Sequence, residues 1–359
     1  MFEKLTETLD SYLTMQTPWY DCIVYHKGRE VYRRTAGTLD TERRIPATGR
    51  ERINIFSCSK LITVTAALML YERGEFDLLD RLAYYLPEYA SMNVRCADGS
   101  ITAAKNPITV ADLFTMTAGF SYDLRSPAMQ ELRRDTNGLC PTRKVAEYLA
   151  REPLLYEPGE GWAYSLSHDV LAALVETVSG MSYEDYCRKY IFDPLGMEKT
   201  TFLLPMEKYS EVAPLYFYNA EERRLVACAR MPVYRLGAAH ASGGAGCVST
   251  VTDYIRFLEA LRTEELLSAK TLDMMATDRL TEKQRPLFTM GPGYGYGLGV
   301  RCPLAGSDIT DFGWDGAAGA HIAIDRKHEF TLFYAQHVLQ SPVHARRGEL
   351  TGIVKEALI

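Results

Sequence analysis

Hydrophobic spacing divides the chain into strand-like ends and a helical middle. Phe2, Leu5, Leu9 and Tyr12 fall at helical spacing and predict a short amphipathic helix. Cys22-Ile-Val-Tyr-His26 and Glu30-Val-Tyr-Arg33 read as strands joined by a Lys27-Gly28 turn. Segment 57–73 predicts a helix closed by Gly74, and its apolar residues Leu61, Ile62, Val64, Ala67 and Leu68 occupy more than one face, so it is buried on most sides. Helical patterns follow at 109–116, at 170–178 before Gly180, at 183–190 and at 250–261. Strand-like runs return at 297–301, 321–325 and 330–334, and the tail from Val343 to Ile359 reads as a closing helix.

This order predicts an α+β protein. One mixed sheet lobe is built from both ends (1–90 and 246–359), a mostly helical lobe (91–245) is inserted, and the site lies between them. No internal repeat or low-complexity tract interrupts the pattern. The glycine-dense stretch His240-Ala-Ser-Gly-Gly-Ala-Gly246 reads as a turn, because it lacks the Gly-Lys-Ser/Thr ending of a phosphate loop.

With 359 residues, 47% of them hydrophobic, the chain can bury a large core. Its charged residues (24%) are interleaved and sum to a net charge of -6, so no basic face offers itself to nucleic acid. The most apolar segment, Leu61 to Tyr71, is too short to cross a bilayer. Acidic residues come early at the N-terminus and no apolar leader follows, so a cytoplasmic, non-membrane protein is expected. The eight cysteines contain no CxxC and the seven histidines no HExxH. Reduced thiols, no metal and no cofactor are expected, and the pattern carries no signal for oligomeric state.

One constellation carries chemistry. Phe56-Ser57-Cys58-Ser59-Lys60 places a serine three residues before a lysine at the start of the buried helix. On a helix these two side chains share a face, and the helix N-terminus favours developing negative charge. A desolvated, neutral lysine is able to accept the serine proton. Alone, Ser-x-x-Lys arises by chance about once in a chain of this length, and a helix-capping serine with a surface lysine gives the same letters. A strand-like Ile53-Asn-Ile-Phe56 before it and a strongly apolar helix after it make such a lysine demand an explanation.

At this point the sequence resembles the serine β-lactamase and penicillin-binding-protein-like hydrolases, and within them the class C-like esterase branch. The resemblance covers nearly the whole chain. Ser57-Cys-Ser-Lys60-Leu-Ile-Thr is similar to the first motif. Leu70-Tyr-Glu-Arg-Gly74-Glu-Phe-Asp77, Leu86-Pro-Glu88 and Leu113-Phe-Thr-Met-Thr-Ala-Gly119 are similar to the segments that follow it. Glu157-Pro-Gly-Glu-Gly-Trp-Ala-Tyr164-Ser165 resembles the approach to the second motif, and Phe312-Gly-Trp314-Asp315-Gly316-Ala317-Ala-Gly319 the third. The resemblance implies a β-lactamase/transpeptidase-like fold, with an antiparallel sheet lobe flanked by helices. It also implies proton traffic through Tyr164 beside Lys60, and an oxyanion hole made by the backbone N–H groups of Ser57 and Ala317.

Two departures bear on substrate. Leu166 stands where lactam-processing members usually carry asparagine, and Trp314 stands where the third motif usually begins with Lys or His. Both remove polar groups suited to an amide and a carboxylate, and Asp315 adds a negative charge that repels an anionic substrate if it points inward. The expectation is an acyl-enzyme hydrolase of small-molecule acyl esters, with Trp314, Asp315, Gly316, Tyr122 and Leu166 around the substrate. β-Lactam or D-amino-acid peptide hydrolysis is the alternative within the same chemistry, and a non-catalytic binding protein the alternative outside it. His168, four residues after Tyr164, either tunes the site or is simply hydrogen-bonded in place, and His321 is equally open.

Overall fold

Strand Trp19–His26 alternates in strict period two, and each set of side chains finds its own core. Tyr20, Cys22 and Val24 pack with Leu5, Leu9 and Tyr12 of the Glu3–Leu13 helix and with Leu350, Ile353 and Val354 of the Glu349–Leu358 helix. Trp19 and Ile23 join the larger core on the opposite face, which includes the Val251–Arg262 helix. This strand is central in a four-stranded antiparallel sheet of order 321–325, 330–335, 19–26, 29–37. The computed structural model describes residues 1–231, 233–291 and 293–359. The sheet therefore draws its strands from both ends of the chain, flanked by helices on both faces.

In the middle of the chain helices outnumber strands, with long loops between them. Its central helix, Ser167–Ser179, is apolar on most sides and packs against the Ser59–Glu72 helix. One continuous apolar cluster runs from Trp19 and Ile23 through both helices to Leu132 and Val145. Two short hairpins, Asn93–Arg95 with Ile101–Ala103 and Leu215–Asn219 with Arg224–Cys228, also belong to this region. Val338–Leu339 adds a parallel strand to the second of them.

Three predicted elements are corrected. The run 297–301 is not a strand: Tyr294–Tyr296 and Arg301–Pro303 pair as a hairpin, and 297–300 forms its turn, closed by the Gly297 N–H on the Val300 carbonyl at 2.9 Å. The closing segment is a 3₁₀ turn, Pro342–Ala345, followed by a separate helix, Glu349–Leu358. The break between them holds Arg347, which is thereby free to turn toward the site. The predicted helix 183–190 is α-helical only over Tyr183–Cys187 and widens into a π turn over Arg188–Phe192. No helix among the described residues is long and apolar enough to cross a membrane. All eight cysteines are free thiols.

Candidate active site

Ser57 sits in a 3₁₀ turn, Phe56–Cys58, wedged between the short strand Ile53–Asn54 and the Ser59–Glu72 helix. Strand pairing of Ile53–Asn54 with Val248–Ser249 anchors one side of this turn. The Tyr254 hydroxyl, donating to the Cys58 carbonyl at 2.8 Å, holds the other. Phe56 adopts φ of 47°, a left-handed conformation that costs a non-glycine residue free energy and here presents the next side chain to solvent. Ser57 lines a cavity of about 800 Å³.

The Tyr164 hydroxyl donates to Ser57 Oγ at 2.7 Å. Its own oxygen accepts the Trp314 indole N–H at 3.3 Å. The phenol ring stacks with two others, Tyr122 at 5.5 Å and Trp314 at 5.8 Å between centroids. Burial pushes the Tyr164 phenol well above its usual range, although Ser57 and Trp314 pull the other way, so it is protonated at neutral pH.

Lys60 is fully buried. Its ammonium donates to the Gly244 carbonyl at 2.6 Å and lies 4.4 Å from the centroid of the Tyr164 ring. Burial pushes its pKa down to about 7, with the Asp169 carboxylate resisting that shift. The spacing argument expected Lys60 to touch Ser57. Among the described residues, the hydrogen bond that Ser57 receives comes from Tyr164 instead, because the helical register turns Lys60 toward the Gly244 loop.

The third motif lies beside the Ser57 turn because Gly316 has no side chain. A Cβ at Gly316 would lie 2.7 Å from the Ile55 carbonyl oxygen and 3.0 Å from the Ala320 Cβ. The Cys58 thiol reaches the Trp314 carbonyl at 3.7 Å across the same contact. Neither the Ser57 N–H nor the Ala317 N–H donates to an acceptor among the described residues, and both residues line the cavity. Two free backbone donors thus belong to residues of the cavity wall, an arrangement able to receive an oxyanion.

Asp315 lines the cavity but is neither a solvated turn residue nor a free negative charge. It accepts from His321 Nδ1 at 2.8 Å and Arg301 at 3.1 Å, and forms an ion pair with Arg347 Nε at 2.9 Å. Burial alone would raise its pKa, but Arg347, His321 and Arg301 outweigh that and hold the carboxyl well below the usual range. The expected repulsion of anionic substrates is therefore cancelled by two guanidinium groups. His321 is spent in this network, bonding Thr351 through Nε2 at 2.8 Å.

Tyr122, Trp314, Asp315 and Gly316 line the cavity with Ser57, Tyr164 and Ala317. Leu166 does not. It is 1% exposed and packs in the main core at the N-terminus of the Ser167–Ser179 helix, so it faces the protein interior rather than a substrate. His168 is fully buried too. Tyr164 is outside the helix, so the two are not helical neighbours, and neither imidazole nitrogen has a well-aligned hydrogen bond. Burial and then Lys60 push its pKa down to about 3, which leaves a neutral ring. Sequence reasoning missed Tyr234, Met290, Tyr294, Arg301, His344 and Arg347 on the cavity wall. None belongs to a motif, and hydrophobic spacing gave no hint that the last turns of the chain return to the site. No group of three His, Cys, Asp or Glu side chains able to hold a metal ion occurs among the described residues.

The family model described as Beta-lactamase matches residues 18–353. Esterase EstB of Burkholderia gladioli is 30% identical over 298 residues, covering 77% of this chain and 73% of its own. Lovastatin esterase of Penicillium rubens is 27% identical over 340 residues, covering 86% and 85%. Among solved structures, EstCE1, described as a hydrolase with promiscuous acyltransferase activity, superposes with a TM-score of 0.78 at 23% identity, covering 99% of this chain and 98% of that one. Unliganded simvastatin synthase LovD from Aspergillus terreus superposes with a TM-score of 0.79 at 23% identity, covering 99% and 97%.

Proposed function

The chain belongs to the Beta-lactamase family, and from that premise we propose how its site works as a serine hydrolase of acyl esters. Ser57 is the nucleophile, and the observation that carries this reading is its 2.7 Å hydrogen bond from Tyr164 at the wall of the cavity. Lys60 and Tyr164 act as a coupled pair. Lys60 is the group poised near neutrality, and Tyr164 is the one in contact with the serine. As Ser57 Oγ attacks the ester carbonyl, its proton passes to this pair. The carbonyl oxygen becomes an oxyanion between the N–H groups of Ser57 and Ala317. The pair then returns the proton to the departing alcohol through the Tyr164 hydroxyl. Water repeats the sequence on the acyl-enzyme and frees the acid.

The cavity lies where the sheet lobe (1–90 and 246–359) and the inserted lobe (91–245) meet. Its volume of about 800 Å³ and its aromatic walls suit a bulky apolar ester. The same volume favours a second reading, in which an alcohol replaces water as acyl acceptor. Two relatives carry that activity in their names: acyltransferase calJ of Penicillium decumbens and monacolin J acid methylbutanoyltransferase of Aspergillus terreus. Free thiols throughout fit a reducing, cytoplasmic location.

A fluorophosphonate probe followed by peptide mass spectrometry tests the nucleophile, and a panel of chromogenic esters with and without added alcohol separates hydrolysis from transfer. Labelling at Ser57, and loss of both labelling and turnover in Ser57→Ala, are the expected results. Undiminished turnover in Ser57→Ala overturns the assignment.

A further inference from the structure

The His240–Gly246 stretch plays no part in the steps above, yet it wraps the buried end of Lys60. Besides the Lys60 contact to Gly244, the Gly243 carbonyl accepts the Thr63 hydroxyl at 2.7 Å. Both bonds fasten the loop to the Ser59–Glu72 helix, which follows the Ser57 turn. Gly244 must be glycine there: a Cβ would lie 2.6 Å from Asp169 Oδ2 and 3.4 Å from Lys60 Nζ. Carboxylate and ammonium thus flank one glycine, within the range of about 4–6 Å over which a counter-charge acts.

Asp169 is 1% exposed, and neither of its oxygens has a well-aligned hydrogen-bond donor. His240 Nε2 lies 3.2 Å from Asp169 Oδ1 and is itself fully buried. The Leu236 N–H donates to His240 Nδ1 at 3.0 Å, which assigns the ring proton to Nε2, facing the carboxylate. A buried carboxylate with so little hydrogen bonding is costly unless its charge is used.

We propose that Asp169, held by His240 and admitted by Gly244, is a positioning residue whose buried anion stabilises the ammonium that Lys60 becomes when it takes up the Ser57 proton. The proposal rests on the reading of Lys60 as proton acceptor. Of the groups that face Lys60 (Asp169 and His168 from the Ser167–Ser179 helix, the rings of Tyr122 and Tyr164, and the Cys58 thiol), only Asp169 carries the opposite charge at neutral pH. Burial pushes the Cys58 thiol and both phenols up, keeping them neutral. Burial also raises Asp169, but His240, Ser242 and Lys60 outweigh it and leave the carboxyl below its usual value.

The test is the pH dependence of kcat/KM for a chromogenic ester in Asp169→Asn. Without the anion Lys60 releases its proton more readily, so the acid limb moves to lower pH, by about one unit or more. KM at the plateau changes little. His240→Leu, which withdraws the donor from Asp169 and lets it take up a proton more easily, shifts the limb in the same direction by less. His240→Gln, whose amide again offers a donor, restores it. A limb that stays in place in folded Asp169→Asn overturns the proposal, and if that variant does not fold, the His240 pair decides by the same criterion. Ser57→Ala, measured alongside, separates the two levels. Residual turnover there refutes the nucleophile itself, whereas an inactive Ser57→Ala with an unmoved Asp169→Asn limb refutes only the role of Asp169.

Discussion

Gly316→Ala is the most direct perturbation of the oxyanion site. The new methyl group would lie 2.7 Å from the Ile55 carbonyl oxygen and 3.0 Å from the Ala320 Cβ. Neither neighbour yields easily. The Ile55 carbonyl already accepts the Cys58 N–H at 3.1 Å inside the nucleophile turn. Gly316 itself is pinned from both sides: its N–H donates to the Ala320 carbonyl and its carbonyl accepts from Arg347, each at 2.9 Å. Relief therefore comes from parting the third motif and the nucleophile turn, which draws the Ala317 N–H away from the Ser57 N–H. Loss of one oxyanion donor costs about 10²–10³ in kcat, or roughly 3–4 kcal/mol of transition-state stabilisation. The crowding itself costs about 1–3 kcal/mol of fold stability. The expected outcome is a kcat reduced about 100-fold or more at nearly constant KM, because the lost interaction is made only in the transition state. Steady-state kinetics on a chromogenic ester, with thermal unfolding as a control, reads both quantities. A folded Gly316→Ala variant whose kcat stays within about threefold of the wild type refutes the assignment of Ala317.

Other outcomes follow from the same geometry. Because Lys60 accepts a proton only when neutral, wild-type kcat/KM rises with pH through about 7. Lys60→Arg, whose guanidinium stays charged, loses about 10²–10⁴ in kcat and the limb with it, as a pH–rate profile will show. Trp314→Phe keeps the stack on Tyr164 but removes the 3.3 Å indole bond, so kcat falls about threefold to tenfold, and an unchanged kcat argues against that bond. Asp315→Asn takes the anion from Arg347 and leaves Arg301 with Asp311 as its counter-charge, and costs about 3 kcal/mol, measurable by denaturant unfolding. The sign with pH is set by the lowered carboxyl: the wild-type advantage is complete above its ordinary 3.8 and is lost as pH falls below that toward the folded value.

Much of the candidate site is legible in ordered motifs. Ser57, Tyr164 and the Trp314–Gly316 segment come from distant parts of the chain and meet on one cavity wall. The strand at Cys22–His26 is read correctly, though it begins at Trp19, and each of its faces buries apolar side chains in its own core. Errors arise where tertiary contacts decide. Leu166 has the spacing of a substrate contact, but one residue later the chain enters a buried helix that turns it inward. Gly297–Arg301 has the composition of a strand, yet the turn it makes comes from pairing between its flanks. Asp315 looks like a free charge until Arg301 and Arg347 arrive, the second from beyond the last strand. The glycines at 243 and 244 are visible in sequence, but their purpose is not, because it depends on Asp169, which lies on another element.

The pairing of Trp19–His26 with Phe330–Ala335 also has a consequence for biosynthesis. At about 5–20 residues per second, the first strand emerges from the ribosome tens of seconds before its partner exists. At first it has only the Glu3–Leu13 helix and the adjacent Arg29–Gly37 strand for cover, and the Val251–Arg262 helix reaches its other face much later. The nascent chain therefore carries an unpaired sheet edge until residues 330–335 have been made, while the contacts between the Ser59–Glu72 and Ser167–Ser179 helices become available far sooner. Arg347, which lines the cavity wall, follows even the Phe330–Ala335 strand in the chain, so the pocket has no finished wall until that stretch has been made.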